Sequence, residues 1–264
     1  MATAVAVGSP FPGRALSVGS PDSTSVLAVQ QRLNSLGCGP IAADGVFGQE
    51  TLDAVELFQT RSVDPFGTHL NVDGSVGPLT WAALFGSVVP TVTTTATALL
   101  QKVITTSTGE IGVLEDPLGS NRGPRVDQYL RAAGLDPTEG HFAWCAAFVY
   151  WCFDQSSAAL GSRNPVIKTA GVLDHWNRAG AAGVHRLANA ECVAQPSLVL
   201  PGLIFILTTS NGNGHTGLVE NVRGSILTTI EGNTNEGGSR EGIGVFRRTT
   251  RRISDMRGFI DYSS

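Results

Sequence analysis

Cysteine is the strongest nucleophile among the side chains of this 264-residue chain, and there are four: Cys38, Cys145, Cys152 and Cys192. Cys145 lies in the run HFAWCAAFVYWCFDQ, where Cys145, Phe148, Trp151 and Cys152 recur at helical spacing and apolar residues surround the axis almost completely. That pattern predicts a buried helix. Gly140 gives it an entry, so Cys145 falls in the first turn. A thiol attacks a carbonyl only once ionised, and its free pKa is about 8.5. The partial positive charge and unpaired N–H groups of a helix N-terminus favour the thiolate and can hold an oxyanion. On composition alone Cys145 can also be read as a structural thiol of a core helix. Cys152, deeper in the same helix, is assigned to the core, and Cys38 to a small apolar position. No two cysteines have CxxC spacing and no HExxH or Cys/His zinc pattern occurs, so neither a metal nor a cofactor is expected.

A nucleophilic cysteine needs a base. Of the five histidines, His69 lies in the N-terminal part, His141 precedes Cys145 closely, and His175 and His185 flank a helical pattern and a loop. His215 has the most suitable context. It opens the strand candidate GHTGLVENV, after the glycine-rich SNGNG and the apolar strand candidate PGLIFIL; SILTTIEGN is the next strand. With Val222-Arg223-Gly224 as a hairpin loop, Asn221 opposes Ser225 and His215 opposes Glu231. Directly opposed Cβ atoms lie about 4.5–5.5 Å apart, so Glu231 can accept an imidazole N–H and fix the tautomer. A one-residue slip destroys that contact and leaves Glu231 a solvated strand-end carboxylate. Asn233, two residues on, is expected on the same face. In this scheme His215 withdraws the Cys145 proton, thiolate attacks an amide carbonyl, and the imidazolium protonates the leaving amine. Water then releases the acyl-enzyme.

The elements that must position these residues follow from periodicity and punctuation. Helices are predicted over Leu99–Thr106 and Pro124–Ala133, the second closed by Gly134 and burying Val126, Tyr129 and Leu130. The charge-free VVPTVTTTATA, residues 88–98, reads as a linker that also permits an extended edge strand. Ahead of it lies a doubled motif: Asp44-Gly45-Val46-Phe47-Gly48 followed by Thr51, Ala54 and Phe58, and Asp73-Gly74-Ser75-Val76-Gly77 followed by Thr80, Ala83 and Phe85. Each copy is a tight turn feeding a helix. STSVLAVQQRLNSLG supplies a further helix, with Val26, Val29, Leu33 and Leu36 on one face and Gly37 ending it. The expected architecture is α+β: an N-terminal extension over residues 1–22, a small three-helix domain over 23–87, the linker, and a domain over 99–264 in which helices pack on an antiparallel sheet.

Bulk composition limits the partners. Net charge is −4, 42% of residues are hydrophobic and only 15% charged, which argues against a nucleic-acid binder needing a clustered basic face. The run Arg247, Arg248, Arg251, Arg252 is read as a solvated strand end or turn rather than a binding site. No apolar stretch approaches the roughly 18 residues of a membrane span, and MATAVAVGSPFPGR lacks the basic start of a secretory signal.

Two resemblances sharpen this reading. AVQQRLNSLG, ADGVFGQETLDAVELFQ and VDGSVGPLTWAALFG resemble the type 1 peptidoglycan-binding domain over about Ser23 to Gly86. The resemblance implies binding of glycan or stem peptide, with Asp44, Gly45, Asp73 and Trp81 as candidate contacts; the alternative is that these residues merely hold the fold. EIGVLED, NRGPRVDQYL, WCAAFVYW, GHTGLVENV and IEGN resemble the CHAP branch of the NlpC-type cysteine peptidase superfamily over roughly Leu99 to Tyr262. The resemblance implies a papain-like domain whose catalytic cysteine matches Cys145, its histidine His215, its glutamate Glu231 and its asparagine Asn233. It further implies cleavage of a peptidoglycan amide, as an N-acetylmuramoyl-L-alanine amidase or stem-peptide endopeptidase. The chain departs from that family at Pro201-Gly202-Leu203, where Pro-Gly-Asp is frequent, and at EDPLGSNRG, which lacks the Asp-rich loop of calcium-binding members. Trp144 and Trp176 are candidate pocket residues by size and position. The expectation is a monomer made in the cytoplasm without a signal and reaching the wall by holin release or a secretion machine. A phage or prophage endolysin is the leading setting, an antibacterial effector the second. A non-catalytic wall-binding protein is the rival from another class, and a transferase using the same acyl-enzyme is a further reading.

Overall fold

The computed structural model describes residues 8–208, 213–234 and 242–263. Part of the glycine-rich Ser210–Gly214 loop lies outside them. The architecture is α+β, and the chain divides into two compact units. The first comprises residues 1–91 with the short segments 193–197 and 223–225, the second the remainder.

In the first unit three helices, α1 (Ser23–Ser35), α2 (Gln49–Arg61) and α3 (Pro78–Phe85), enclose a core that includes Val26, Val29, Leu33, Val55, Phe58, Leu79 and Trp81. Their boundaries have local causes. The Asp22 carboxylate caps α1 by accepting from the N–H of Ser25 (3.1 Å). Pro78 opens α3, where its missing N–H costs nothing. Gly86 closes α3 at φ 65, a left-handed value that a β-carbon disfavours. Residues of the expected extension belong to this unit. Leu16 is buried and forms an isolated bridge with Val76, and Ser9 accepts from the indole N–H of Trp81 (2.9 Å).

The doubled motif is held by two glutamines. Gln30 on α1 donates to the Asp44 carboxylate (2.9 Å), the Val46 carbonyl and the Thr51 hydroxyl, and its carbonyl accepts from the N–H groups of Asp44 and Gly45. Gln59 on α2 repeats the pattern with Asp73, Ser75, Thr80 and Gly74. The sequence separations of 14, 16 and 21 residues are the same in both copies. Each buried amide thus satisfies the backbone of a turn that forms no ladder of its own.

The second unit begins at Val92, within the short strand β1 (Thr91–Val92), which pairs β4 and realises the strand option of the Thr-rich segment. Four helices follow: α4 (Ala98–Gly109), α5 (Val126–Ala132), α6 (Cys145–Ala159) and α7 (Val172–Ala181). β2 (His185–Ala188), α8 (Asn189–Ala194), β3 (Ile204–Thr208), β4 (Gly214–Arg223), β5 (Ile226–Thr234), β6 (Gly244–Arg252) and β7 (Gly258–Asp261) complete it. The sheet runs β2-β7-β3-β4-β5-β6, with antiparallel pairing at β2–β7, β7–β3, β3–β4 and β5–β6. Ile204, Ile206, Leu218, Ile230, Val245 and Ile260 share one buried core with Phe148, Cys152 and Phe153 of α6. These strand residues alternate with others along each strand, as a sheet carrying helices on that face requires. α6 is buried over most of its circumference, consistent with its apolar sequence. Where it approaches β5 the strand has a glycine: a β-carbon at Gly232 would lie 2.7 Å from Cβ of Phe148 and 2.8 Å from Cζ3 of Trp144.

Candidate active site

Cys145 is the first residue of α6 and only 4% exposed. Trp144 is the N-cap, at φ −116 and ψ 12, and no side chain caps the helix. The N–H groups of its first turn are therefore not taken up by a capping side chain, and their dipoles favour negative charge at this end. The sulfur opens on a cavity of about 280 Å³ whose walls include Ala143, Ala170, Gly171, Val172, Asn213 and Gly214. A larger groove of about 830 Å³ runs along Tyr150, Asp154, Arg163, Lys168 and Arg178 and includes none of the expected reacting residues.

His215, the second residue of β4, follows Gly214 and is 3% exposed. Its Nε2 lies 2.9 Å from Oε2 of Glu231. An ionised carboxylate can only accept, so Nε2 carries a proton and Nδ1 is the nitrogen that gains or loses the second one as the ring changes charge. Nδ1 is buried and has no hydrogen-bond partner of normal geometry. Cys145 acts on the ring as a near neighbour rather than through a well-formed hydrogen bond. Burial disfavours the imidazolium, but Cys145 and Glu231 together outweigh it and raise the His215 pKa to about 9.

Glu231 is fully buried. Besides His215 it accepts from the Thr229 hydroxyl at Oε1 (2.6 Å) and from Arg251 in a two-pronged contact, Nε to Oε1 at 2.9 Å and Nη2 to Oε2 at 2.8 Å. Burial would raise its pKa; Arg251 and His215 reverse that and lower it to about 2. The hairpin between these strands is tighter than the sequence reading. Val222 and Arg223 stay in β4, and the chain turns on Gly224 and Ser225. Gly224 adopts φ 63, which permits a two-residue turn. His215 and Glu231 nevertheless meet.

Asn233 is 2% exposed, and its Oδ1 has no partner among the described residues. Its φ of 54 is left-handed, and β5–β6 pairing is irregular between Glu231 and Thr234. The two-residue alternation that placed Asn233 on the face of Glu231 therefore does not apply at this point. Asparagine tolerates such a φ better than most residues.

The candidate binding residues have other places. Trp144 is fully buried and donates its indole N–H to Oε1 of Glu115 (2.8 Å), whose Oε2 accepts from the Asn121 N–H. It orders the entry to α6 and presents no face to a ligand. Trp176 has Arg186 and Arg257 over its ring, at 4.7 and 5.6 Å from the centroid. Trp81 is 2% exposed and packs on Phe85, so it too differs from a ligand contact. Asp44 and Asp73 are exposed, but each commits Oδ1 to its own turn and its glutamine. The Val46 N–H and the Gln30 amide lower the Asp44 pKa.

Four residues escaped the sequence reading: Arg251, Glu115, Gln30 and Gln59. Arg251 belongs to the arginine run read as solvated; instead it grips Glu231, while Arg247 grips Glu220 by a like two-pronged contact (2.7 and 2.8 Å). Glu115, the first residue of EDPLGSNRG, instead anchors the Trp144 indole. Gln30 and Gln59 stand at one distance before their Asp-Gly turns, a spacing visible in the sequence.

Comparison with known proteins agrees with this division. The family model for a peptidoglycan binding domain matches residues 22–84, and the CHAP domain model matches residues 137–233, which include Cys145, His215, Glu231 and Asn233. A Kitasatospora aureofaciens protein described as "Uncharacterized protein in bpoA1 3'region" is 49% identical over 61 residues, 23% of this chain and 47% of that protein. The chain thus spans about half the length of the curated relative it matches. No solved structure gives a significant match. The chain carries, in order, a peptidoglycan-binding domain and a CHAP domain.

Proposed function

We propose that the protein hydrolyses an amide bond of peptidoglycan with Cys145 as nucleophile, either as an N-acetylmuramoyl-L-alanine amidase or as a stem-peptide endopeptidase. One observation carries the reading: the buried His215 is tied to Glu231 through Nε2, which leaves an unpartnered Nδ1 beside a cysteine at a helix N-terminus. The two domain matches support wall material as the substrate.

In the proposed reaction Nδ1 of His215 takes the Cys145 proton, and the imidazolium is held by Glu231, itself held by Arg251 and Thr229. The thiolate attacks the amide carbonyl. N–H groups at the start of α6 stabilise the tetrahedral oxyanion. The Nδ1 proton passes to the leaving nitrogen, breaking the C–N bond and leaving a thioester. Nδ1 then deprotonates water, which attacks the thioester and restores the thiol. Asn233, whose Oδ1 is buried without a partner, is the fourth residue assigned to the site. The binding domain raises the local concentration of wall around the reacting set.

The target lies outside the cytoplasmic membrane, and no helix among the described residues is long and apolar enough to cross one. Delivery through a holin or a secretion machine is part of the proposal, with a phage or prophage endolysin as its setting. The test is clearing of purified peptidoglycan, with mass spectrometry of the products, for wild type beside Cys145→Ala. Wild type alone should release product, and free muramoyl ends or split stem peptides name the bond. If neither protein releases product while both sediment with the wall, the catalytic reading fails.

A further inference from the structure

Glu231 has more partners than a histidine orienter needs. Fully buried within β5, it receives His215 from β4, the Thr229 hydroxyl from its own strand, and the two-pronged Arg251 guanidinium from β6. Arg251 is itself largely buried, with its side chain 16% exposed. In the β5–β6 register Arg251 stands opposite Leu227, and the shift between Leu227 and Thr229 lies between that position and Glu231. Asp255, in the short 3-10 helix after β6, acts electrostatically on Arg251, and Cys145 on α6 acts on His215 from the other side. The groups are thus linked in sequence: Cys145 acts on His215, His215 bonds Glu231, and Glu231 bonds Arg251, on which Asp255 also acts.

We propose that Arg251 is a positioning residue of the reacting set: by occupying both oxygens of Glu231 it keeps that carboxylate ionised and aimed at Nε2 of His215 across the working pH range. This rests on the assignment of Cys145, His215 and Glu231 above. A buried carboxylate with no cation on it takes up a proton to escape the desolvation cost. A protonated Glu231 can rotate its acid proton toward Nε2, which would favour the wrong tautomer and move the lone pair away from Cys145. Arg251 blocks that route, since both oxygens already accept from a group that never releases its proton. Thr229, donating at 2.6 Å to Oε1, fixes the rotation of the carboxyl about its own bond. The same fork on the same strand, Arg247 on Glu220, touches no reacting residue and serves as an internal comparison.

The experiment is a carbon-13 NMR titration of the Glu231 carboxyl in wild type, Arg251→Gln, Arg251→Lys and Arg247→Gln, beside kcat/KM against pH on solubilised peptidoglycan. An opposite charge at this range lowers a carboxyl pKa by about 1–3 units. Arg251→Gln should therefore raise the Glu231 midpoint by about 1–3 units and move the acid limb of kcat/KM upward with it. Arg251→Lys, which restores charge but not the fork, should fall between, and Arg247→Gln should leave the midpoint in place. An unchanged midpoint in folded Arg251→Gln overturns the proposal, as does a loss of activity that is uniform across pH. If Arg251→Gln does not fold, Arg251→Lys decides by the same readouts. The titration needs no turnover, so a shifted midpoint in a protein without hydrolytic activity would sink the proposed function, and the positioning role with it, while leaving the effect of Arg251 on the ionisation of Glu231 established.

Discussion

Replacing Gly232 with alanine tests how closely the helix bearing Cys145 must approach the strand bearing Glu231. The new Cβ would meet Cβ of Phe148 at 2.7 Å, against the 3.4–4 Å of ordinary contact. Phe148 Cβ is fixed to the α6 backbone, so no side-chain rotation relieves the overlap. The first two turns of α6 must retreat by roughly 0.7 Å, the difference between those distances. Overpacking of this kind costs about 1–3 kcal/mol, offset by about 0.4–1 kcal/mol from the lower chain entropy of the unfolded state. The net loss of about 1–2 kcal/mol should lower Tm by a few degrees, roughly 2–4 °C per kcal/mol for a unit of this size. The shift also moves the thiol relative to Nδ1 of His215, and misplacement on the ångström scale costs up to about 100-fold in rate. Urea denaturation and kcat/KM on peptidoglycan are the assays. Gly109→Ala is the control. It ends α4, has nothing within 4 Å of a new Cβ, and should stabilise by about 0.4–1 kcal/mol. Wild-type stability in Gly232→Ala would refute the packing argument. Lost stability with full activity would refute the link between that packing and the thiol.

Two further outcomes follow from the described geometry. Gln30→Leu strands the Asp44 and Gly45 N–H groups and should cost about 2–4 kcal/mol, the loss of more than one buried partner; wild-type Tm together with unchanged sedimentation on purified wall would dismiss the clasp. Stability should also vary with pH in a stated window. Glu231, lowered to about 2 from 4.5, contributes fully above 4.5 and loses its contribution as pH falls through 2. His215, raised to about 9 from 6.5, contributes fully below 6.5 and loses its contribution as pH rises through 9. Tm should therefore plateau between about 4.5 and 6.5 and fall on both sides, with both limbs flattened in Glu231→Gln; limbs of equal slope in that variant would count against the pair.

Local signals made much of this legible in sequence. An unbroken apolar circumference could only be a core helix, and that put Cys145 at its start. Alternating strands with glycine punctuation led to His215 and Glu231, although the loop between them was read one residue too long. What escaped reading depends on partners far along the chain. Nothing around Arg251 says which carboxylate it meets, because it stands opposite Leu227 and an irregularity in the β5–β6 register intervenes before Glu231. The arginine run looked solvated because charge alone carries no direction. Trp144 is a candidate by size and Trp81 by resemblance, but an indole buries readily wherever its N–H finds an acceptor, here Glu115 and Ser9. At Asn233 the positive φ and the β5–β6 irregularity interrupt the regular alternation on which its expected face was based.

The two glutamine clasps of the first unit have a consequence for where its chain can change length. Gln30 rides on α1 and closes the turn that admits α2, while Gln59 rides on α2 and closes the turn that admits α3. The helices are wired in series, and α2 is both latched and latching. Each residue inserted within α2 rotates Gln59 by about 100° relative to the helix entry, swinging the second latch off its catch. Insertions belong instead in the loop after Arg61, where the amide reaches across rather than along the chain. Homologues should differ in length there and keep α2 constant.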